Sequence, residues 1–428
     1  MNVLLTGATG FIGRAIVLAL LDRGHRVTVC CRRPQRLRLQ NPLITPLALD
    51  FAEASEIETW LPHLQGIDAI VNCVGIIATC PGQSFRQLHS LSPIALFRAG
   101  TLAGVGKIVQ ISALGADGAA ESAYHLSKKA ADDALRELPV EWFVLQPSLV
   151  YGRGGRSHAL FQALAALPVH PLPDGGAPML QPIQVNDVAA AVCRCLQTGC
   201  AGRRTIALVG PQPISYADWL QGLRARLGQA PAKPWYLPPA VASVGAALGG
   251  ILGEPILNRA NLAMLQRGST ADPAPLTALL GRPPRNAKRM FAEDATQAER
   301  WQAGLYLLRP LLGWTIAFVW LWSGATSLLF YPHEASYALL AATGITGAAA
   351  PPTLYGLAAL NIAMGLATLA RIRLPALLLG QFAIVLAYSL VVAWRLPEFV
   401  VHPFGPLLKN LPFLMCLLVY RVLEGERP

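Results

Sequence analysis

Charge is scarce in this sequence: Asp, Glu, Lys and Arg together make up 14% of its 428 residues, against about 25% in an ordinary soluble domain. Hydrophobic residues make up 53%, so part of the chain is expected in lipid. Lysine is scarcer still, for six of the 35 basic residues are lysine and the other 29 are arginine. No Lys-rich tract and no basic stripe interleaved with aromatics occurs, so the net charge of +11 does not point to nucleic acid. The eight cysteines, at 30, 31, 73, 80, 193, 195, 200 and 416, include no C-x-x-C pair. That lack argues against a zinc ribbon or a dithiol redox motif, no metal site is expected, and free thiols in a reducing compartment fit the pattern. Cys193 and Cys195 flank Arg194 on a helix, where they should point to different sides. A secretory leader is not expected, because no basic region precedes the apolar run Val3 to Leu5, which enters a Gly-rich turn at once. The N-terminal part is therefore expected in the cytoplasm.

Along residues 1–198, short β-branched runs alternate with helical patterns. NVLLT, RVTVCC, ITPLAL, AIVNCVG, KIVQIS and WFVLQPSLV read as buried parallel strands of a doubly wound α/β sheet. Residues 199–302 are looser, with the Pro-rich connectors PAKPWYLPP and GRPPRN around helices such as SYADWLQGLRARL, and read as a smaller substrate-side lobe. Within that lobe AVASVGAALGGIL, 240–252, is apolar but too short and Gly-rich to span a bilayer, and reads as a surface or interfacial helix.

Residues 303–428 hold four long apolar stretches, near 309–330, 353–370, 374–394 and 404–423, each close to the roughly 20 residues a bilayer core needs. Arg300 and Arg309 precede the first, Arg371 and Arg373 join the second to the third, and Arg421 and Arg427 follow the fourth, whereas the loop between the first and second carries no Lys or Arg. The positive-inside rule then places the N-terminal part, the 371–373 turn and the C-terminus in the cytoplasm, with four spans in the inner membrane. Arg395 and Lys409 on the opposite side weaken this bias without reversing it. Trp320, Trp322, Trp394 and Tyr420 suit interfacial belts or bundle packing equally. Asn361, Gln381, Lys409 and Asn410 are polar groups at membrane depth, and helix-to-helix hydrogen bonding is the preferred reading for Asn361 and Gln381.

The stretch TGATGFIG, Thr6 to Gly13, follows the strand NVLLT and opens the helix FIGRAIVLALLDRG. Gly7, Gly10 and Gly13 let the backbone turn, admit a pyrophosphate to the helix N-terminus and pack helix on strand. A lone G-x-x-G-x-x-G is weak, but strand before and helix plus strand after supply the context that a dinucleotide site requires. At the end of the second strand an NAD site usually carries Asp or Glu for the ribose 2′-hydroxyl. This chain has Cys30, Cys31, Arg32 and Arg33 there, a pair of guanidiniums suited to a 2′-phosphate, so NADP(H) is the expected cofactor.

With Asp50 after the third strand, NCVG at 72–75 and a Ser-Tyr-Lys set, residues 1 to about 300 resemble an extended or atypical short-chain dehydrogenase/reductase. Within that superfamily ISALGAD (111–117), VLQPSLVYG (144–152) and QPIQVNDVA (181–189) are similar to the group containing the nucleotide-binding accessory subunit of respiratory complex I. The C-terminal third, with YPHEAS (331–336) and HPFGPLLKNLP (402–412), resembles the DoxX-like membrane family. The first resemblance implies that Gly7, Thr9, Gly10, Phe11, Ile12, Gly13, Arg32, Arg33, Asp50, Asn72, Gly75 and Pro147 hold the dinucleotide together with Tyr124 and Lys128.

Tyr124 and Lys128 form Y-x-x-x-K, which on a helix puts both on one face. The ammonium can hold the nicotinamide ribose and lower the phenol pKa, and the phenol can exchange a proton with a substrate oxygen as hydride moves. The superfamily assigns to the position of Ser112 the orienting of that oxygen. Two departures stand out, His89 where the family usually has Asn and Gln146 where Arg is common, while Asp187 matches the acidic residue of the family's V-x-D-V-A segment and is expected to cap a helix. The expected activity is a membrane-tethered NADP(H)-dependent oxidoreductase working on a carbonyl or alcohol of a lipophilic, quinone-related or isoprenoid-like molecule. The other expectation is an NADPH-binding assembly protein of a respiratory or quinone-linked membrane complex, with membrane lipid as a further partner.

Overall fold

The computed structural model describes residues 1–37, 40–79, 82–251 and 256–425. Cys80, Arg427, Arg38 at the end of the basic run and Leu252 at the end of the apolar run lie outside the described residues. The chain divides into two compact units, Met1–Gly304 and Leu305–Pro428.

In the first unit, seven parallel strands form one sheet: β1 Asn2–Thr6, β2 Arg26–Cys31, β3 Ile44–Ala48, β4 Ala69–Asn72, β5 Lys107–Ile111, β6 Glu141–Pro147 and β7 Arg204–Leu208. Their order is β7-β6-β5-β4-β1-β2-β3, so the winding reverses between β1 and β4, and the cleft at that switch point is where such sheets take a ligand. Alternate residues feed two cores. Val3 and Leu5 face α1 (Phe11–Leu21) and α4 (Val185–Leu196), which contribute Ile16, Val17, Val188 and Val192. Leu4 and Ile70 face the opposite layer, where α2 (Ser92–Leu102) and α3 (Ala123–Arg136) contribute Leu96, Phe97, Ala131 and Leu135.

Two sequence expectations need correction here. RTIAL, within the stretch read as substrate lobe, is the seventh strand of the main sheet, pairing in parallel with β6 from Arg204↔Phe143 to Leu208↔Pro147. Five residues between Gly202 and Gly210 are too short a run to stand out from the loosened text around them. The run WFVLQPSLV does not continue as one strand. Pro147 has no amide hydrogen to extend the ladder, and Val150–Tyr151 pairs instead with Ile183–Gln184.

The smaller lobe is built from short strand pairs, Met179–Leu180 with Ile214–Ser215 and Val169–Pro173 with Lys233–Leu237, around α5 (Tyr216–Arg226). Fully buried Trp219 stacks edge-on against Tyr151 at 5.8 Å and lies 5.4 Å from Phe291. Two further helices of this unit are α6 (Pro239–Ile251) and α7 (Arg259–Arg267).

The longer helices beyond residue 296 are α8 (Gln297–Ala325, continued by a π-helical turn to Phe330), α9 (His333–Ala342), α10 (Ala350–Leu369), α11 (Leu374–Arg395) and α12 (Asn410–Gly425). Among the described residues three of these, Gln297–Phe330, Gly347–Leu369 and Leu374–Arg395, are long and apolar enough to cross a membrane. The fourth expected stretch is a helix of 16 residues. Trp320 and Tyr420 are buried in the helical core with Ile316, Leu378 and Leu417, so their role is packing. Trp322 and Trp394 point outward, 55% and 78% exposed. Gln381, fully buried, donates to Thr368 Oγ1 across α11 and α10 at 2.8 Å, and Asn410 Nδ2 donates to Ser389 Oγ at 2.8 Å.

Candidate functional site

Gly7 ends β1 with φ of +77°, a left-handed conformation that glycine adopts without cost, and a Cβ there would lie 2.7 Å from the Cys73 carbonyl carbon. The β1 loop and the β4 loop thus meet backbone to backbone at the switch point. Gly10 caps α1, its amide bonded to Gly7 O at 3.0 Å, and a Cβ on Gly13 would collide with Gly7 O. Helix, strand end and turn are therefore as close as backbones can come, and the first-turn amides of Phe11, Ile12 and Gly13 open a helix with no acidic residue in its first turn. This is the cradle a pyrophosphate needs. The Phe11 ring faces away from it into the YGRGG loop, where Cβ atoms on Gly152 and Gly155 would approach the ring to 3.2 and 3.0 Å. Arg32 and Arg33 are exposed after β2, and the Gln83 amide, with its oxygen turned to the arginine, accepts from Arg32 Nη1 at 2.8 Å and Nη2 at 3.2 Å. Asp50 Oδ1 accepts from the Ala52 amide at 3.0 Å, a local turn. Pro147 O accepts from Leu114 N at 3.0 Å, joining β6 to the ISALGAD loop.

On α3, Tyr124 and Lys128 lie one turn apart. Lys128, 3% exposed, donates from Nζ to Val74 O at 2.9 Å and to Ile111 O at 3.1 Å, tying together the ends of β4 and β5. An ammonium has three hydrogens, so one is left for a ligand. Gly75 faces it: a Cβ there would stand 3.2 Å from Nζ. Burial lowers the Lys128 pKa to about 8, against the pull of Asp132, and burial raises that of the half-buried Tyr124 to about 12. The phenol is therefore protonated at neutral pH, a state fit to donate a proton.

His89 occupies a π-helical turn, Arg86–Leu91, a distortion that frequently marks functional sites. Its Nε2 accepts the Ile76 amide hydrogen at 2.9 Å, which fixes the tautomer. Nδ1 then carries the proton and donates to Ser127 Oγ at 3.0 Å, and Ser127 donates to Tyr124 O at 2.8 Å. Burial and the Lys128 charge hold the His89 pKa down to about 2, so this ring stays neutral. It stands edge-on to Tyr124, ring centres 5.5 Å apart. His89 thus orients the loop beside Gly75 and the base of Tyr124, and both its nitrogens are committed to that task.

The structure separates Ser112 from the role expected of it. Ser112 is buried, and its hydroxyl donates to Asp132 Oδ2, not to Tyr124. Asp132, fully buried one turn beyond Lys128, has its pKa raised to about 6 by burial, partly countered by Ser112 and Lys128. Its signal in the sequence is an acid four residues after Lys128 on the same helix face. A buried ladder also crosses the strand ends. Thr6 Oγ1 donates to Asn72 Oδ1 at 2.6 Å, and Asn72 Nδ2 donates to Gln110 Oε1 at 2.7 Å. Asn72 therefore orders the C-terminal edge of the sheet beneath the site.

Two other expectations change. Asp187 does not cap its helix; the Gln184 side chain does, accepting from Asn186 N at 2.8 Å. Asp187, fully buried, instead holds the 282–285 loop through Arg282 Nη2 at 2.6 Å and the Arg285 amide at 2.7 Å. Cys193 and Cys195 are both buried in the core between α4 and the sheet, where small thiols pack as hydrophobes.

Residues 7–198 match the family described as NAD(P)H-binding, and residues 317–418 match the DoxX-like family. Ceramide reductase of Caulobacter vibrioides is 27% identical over 254 residues, covering 57% of this chain and 76% of that protein. A second relative is the mitochondrial NADH dehydrogenase (ubiquinone) 1 alpha subcomplex subunit 9 of Arabidopsis thaliana. It is 28% identical over 214 residues, 48% of this chain, and the match spans 52% of the relative's own length. Among solved structures, an NADPH-dependent quinone oxidoreductase from Escherichia coli superposes with a TM-score of 0.55 at 18% identity, covering 68% of this chain and 98% of that one. These matches make the amino-terminal part similar to NAD(P)H-binding domains, on a Rossmann-like parallel sheet. The DoxX-like part and its long apolar helices indicate association with a membrane.

Proposed function

Starting from an NAD(P)H-binding domain joined to a DoxX-like domain, we propose that the protein is a membrane-tethered reductase moving hydride from NADPH to a carbonyl of a lipophilic substrate. The observation that carries this reading is the pairing of Tyr124 with a Lys128 ammonium that faces Gly75 and keeps one hydrogen unspent. NADPH supplies the hydride when bound. The glycine cradle at Gly7, Gly10 and Gly13 would hold its pyrophosphate, Arg32 and Arg33 its 2′-phosphate, and Lys128 a ribose hydroxyl. Tyr124, protonated at neutral pH, donates its hydroxyl proton to the oxygen that becomes an alcohol, and the charge of Lys128 stabilises the phenolate left behind. A relative named for reducing ceramide supports a lipid carbonyl, and the membrane helices support a substrate drawn from lipid.

The test is a fluorescence titration of NADPH and NADH on the full chain in detergent, wild type beside Arg32→Ala and Lys128→Ala, followed by a screen of lipid carbonyls. Selective NADPH binding that Arg32→Ala abolishes supports the reading. No binding of either nucleotide refutes it.

A second reading rests on Ser112 and His89. With the Ser112 hydroxyl turned to Asp132 and both His89 nitrogens committed, the site keeps fewer groups for proton relay, which suits a nucleotide bound for stability in an assembly protein. The complex I subunit among the relatives fits that use. Co-purification with a respiratory complex, and no turnover with any substrate, distinguishes it.

A further inference from the structure

The 20 residues from Pro234 to Gly253 carry no charge. On α6, Ala242 and Ala246 turn inward and are buried, and at Gly249 a Cβ would collide with Leu257, so the inner side is closed by close packing. The outer side presents Val241 and Val244, 46% and 54% exposed, and the strand just before it presents Trp235 and Tyr236, 52% and 64% exposed. A helix apolar on both sides is normally enclosed. The helix packed beside it, α7, reaches toward the site: its terminal Arg267 pairs with Asp117 at 3.5 Å, and Asp117 lies on the loop between β5 and α3. On the same loop, Gly115 lies against the His125 ring, a Cβ there falling 3.3 Å from Nε2, and that ring is 5.3 Å from Tyr124.

We propose that the face formed by Trp235, Tyr236, Val241 and Val244 docks into the bilayer interface, and that a lipophilic substrate passes from the leaflet along it to Tyr124. The occupant is lipid for three reasons. An uncharged run with an adjacent Trp-Tyr pair has the composition of a membrane-interface anchor. Lys233 directly precedes it and, beyond the single acid Glu254, Arg259 follows it, both basic residues exposed where anionic head groups would meet them. The same chain carries bilayer-length helices, which keeps the face at high effective concentration near a membrane. The proposal rests on the lipophilic-substrate reading above, but its test does not use turnover.

The full chain would be placed in phosphatidylcholine and phosphatidylglycerol nanodiscs as Val244→Cys carrying bimane, with Glu53→Cys as reference and unsubstituted protein as labelling background. Lipids bearing doxyl groups at acyl carbon 5 or 12 then quench by depth. The expected result is quenching of the Val244 label, stronger with the 5-doxyl lipid, as for a face lying about 5–10 Å into the boundary, and none at Glu53. An unquenched label overturns the proposal, whether its emission is water-like or shifted to the blue by a second copy or another part of the chain covering it. Should Val244→Cys fail to fold, Trp235→Phe decides: the lipid-quenchable share of tryptophan emission falls if the proposal holds and is unchanged if it does not. Quenching without any turnover would sink the reductase reading and leave the docking intact.

Discussion

Tyr124 and Lys128 sit one turn apart, yet burial drives each toward its neutral form, the phenol up to about 12 and the ammonium down to about 8. At pH 7 the pair is therefore neutral Tyr beside charged Lys. Tyr124→Phe should lower turnover by about 10²–10⁴-fold with NADPH affinity retained, since only the proton donor is lost. Reduction should also weaken above about pH 8 as Lys128 deprotonates, in a pH-rate profile whose basic limb vanishes in Lys128→Arg. Ser112→Ala should change turnover little, because the hydroxyl serves Asp132. It should instead cost about 1–3 kcal/mol of stability by stranding a buried carboxylate. The Asp132 pKa is raised in the fold, so the folded state binds a proton more readily than the unfolded chain does. Its contribution to stability is then greatest below pH 3.8 and is lost as pH rises through about 6. Chemical denaturation of Asp132→Asn across that window should be flatter with pH than that of wild type.

At the scale of elements, the close approach of α1 to the β1 turn carries the cofactor site. Gly13→Ala places a methyl into Gly7 O, so α1 must shift away from the strand. NADPH binding should be lost and the thermal midpoint lowered, measured by titration and scanning fluorimetry on one sample. Much of this was legible in order of residues. Six β-branched runs gave six strands, and G-x-x-G-x-x-G and Y-x-x-x-K declared themselves by spacing. RTIAL did not, being five residues between glycines with no periodicity to read. Nor did the use made of Ser112, Asp132 and His89. Their hydrogen bonds cross between a strand end, a π-helical turn and α3, and sequence spacing holds no record of which partner a side chain finds across elements.

For the whole molecule, the two compact units should respond to ligand separately. NADPH at 100 times its Kd should stabilise only residues 1–304, by about 2.7 kcal/mol, seen by hydrogen exchange as protection confined to that unit. In the helical unit, Glu424 is buried and pairs with Arg371 on the turn between α10 and α11 and with Arg309 of α8 at 3.5 Å. Two of the arginines counted under the positive-inside rule are thus also the partners of a carboxylate on α12. Composition and motif order alone determined that this chain joins a dinucleotide-binding sheet to membrane helices, because strand runs, a glycine turn and long uncharged stretches are local properties of consecutive residues. Only the tertiary structure decided which groups remain available for chemistry. A hydroxyl, an imidazole or a guanidinium is spent or spared according to what folding brings within 3 Å of it, and for Ser112, His89 and Glu424 those neighbours come from distant parts of the chain.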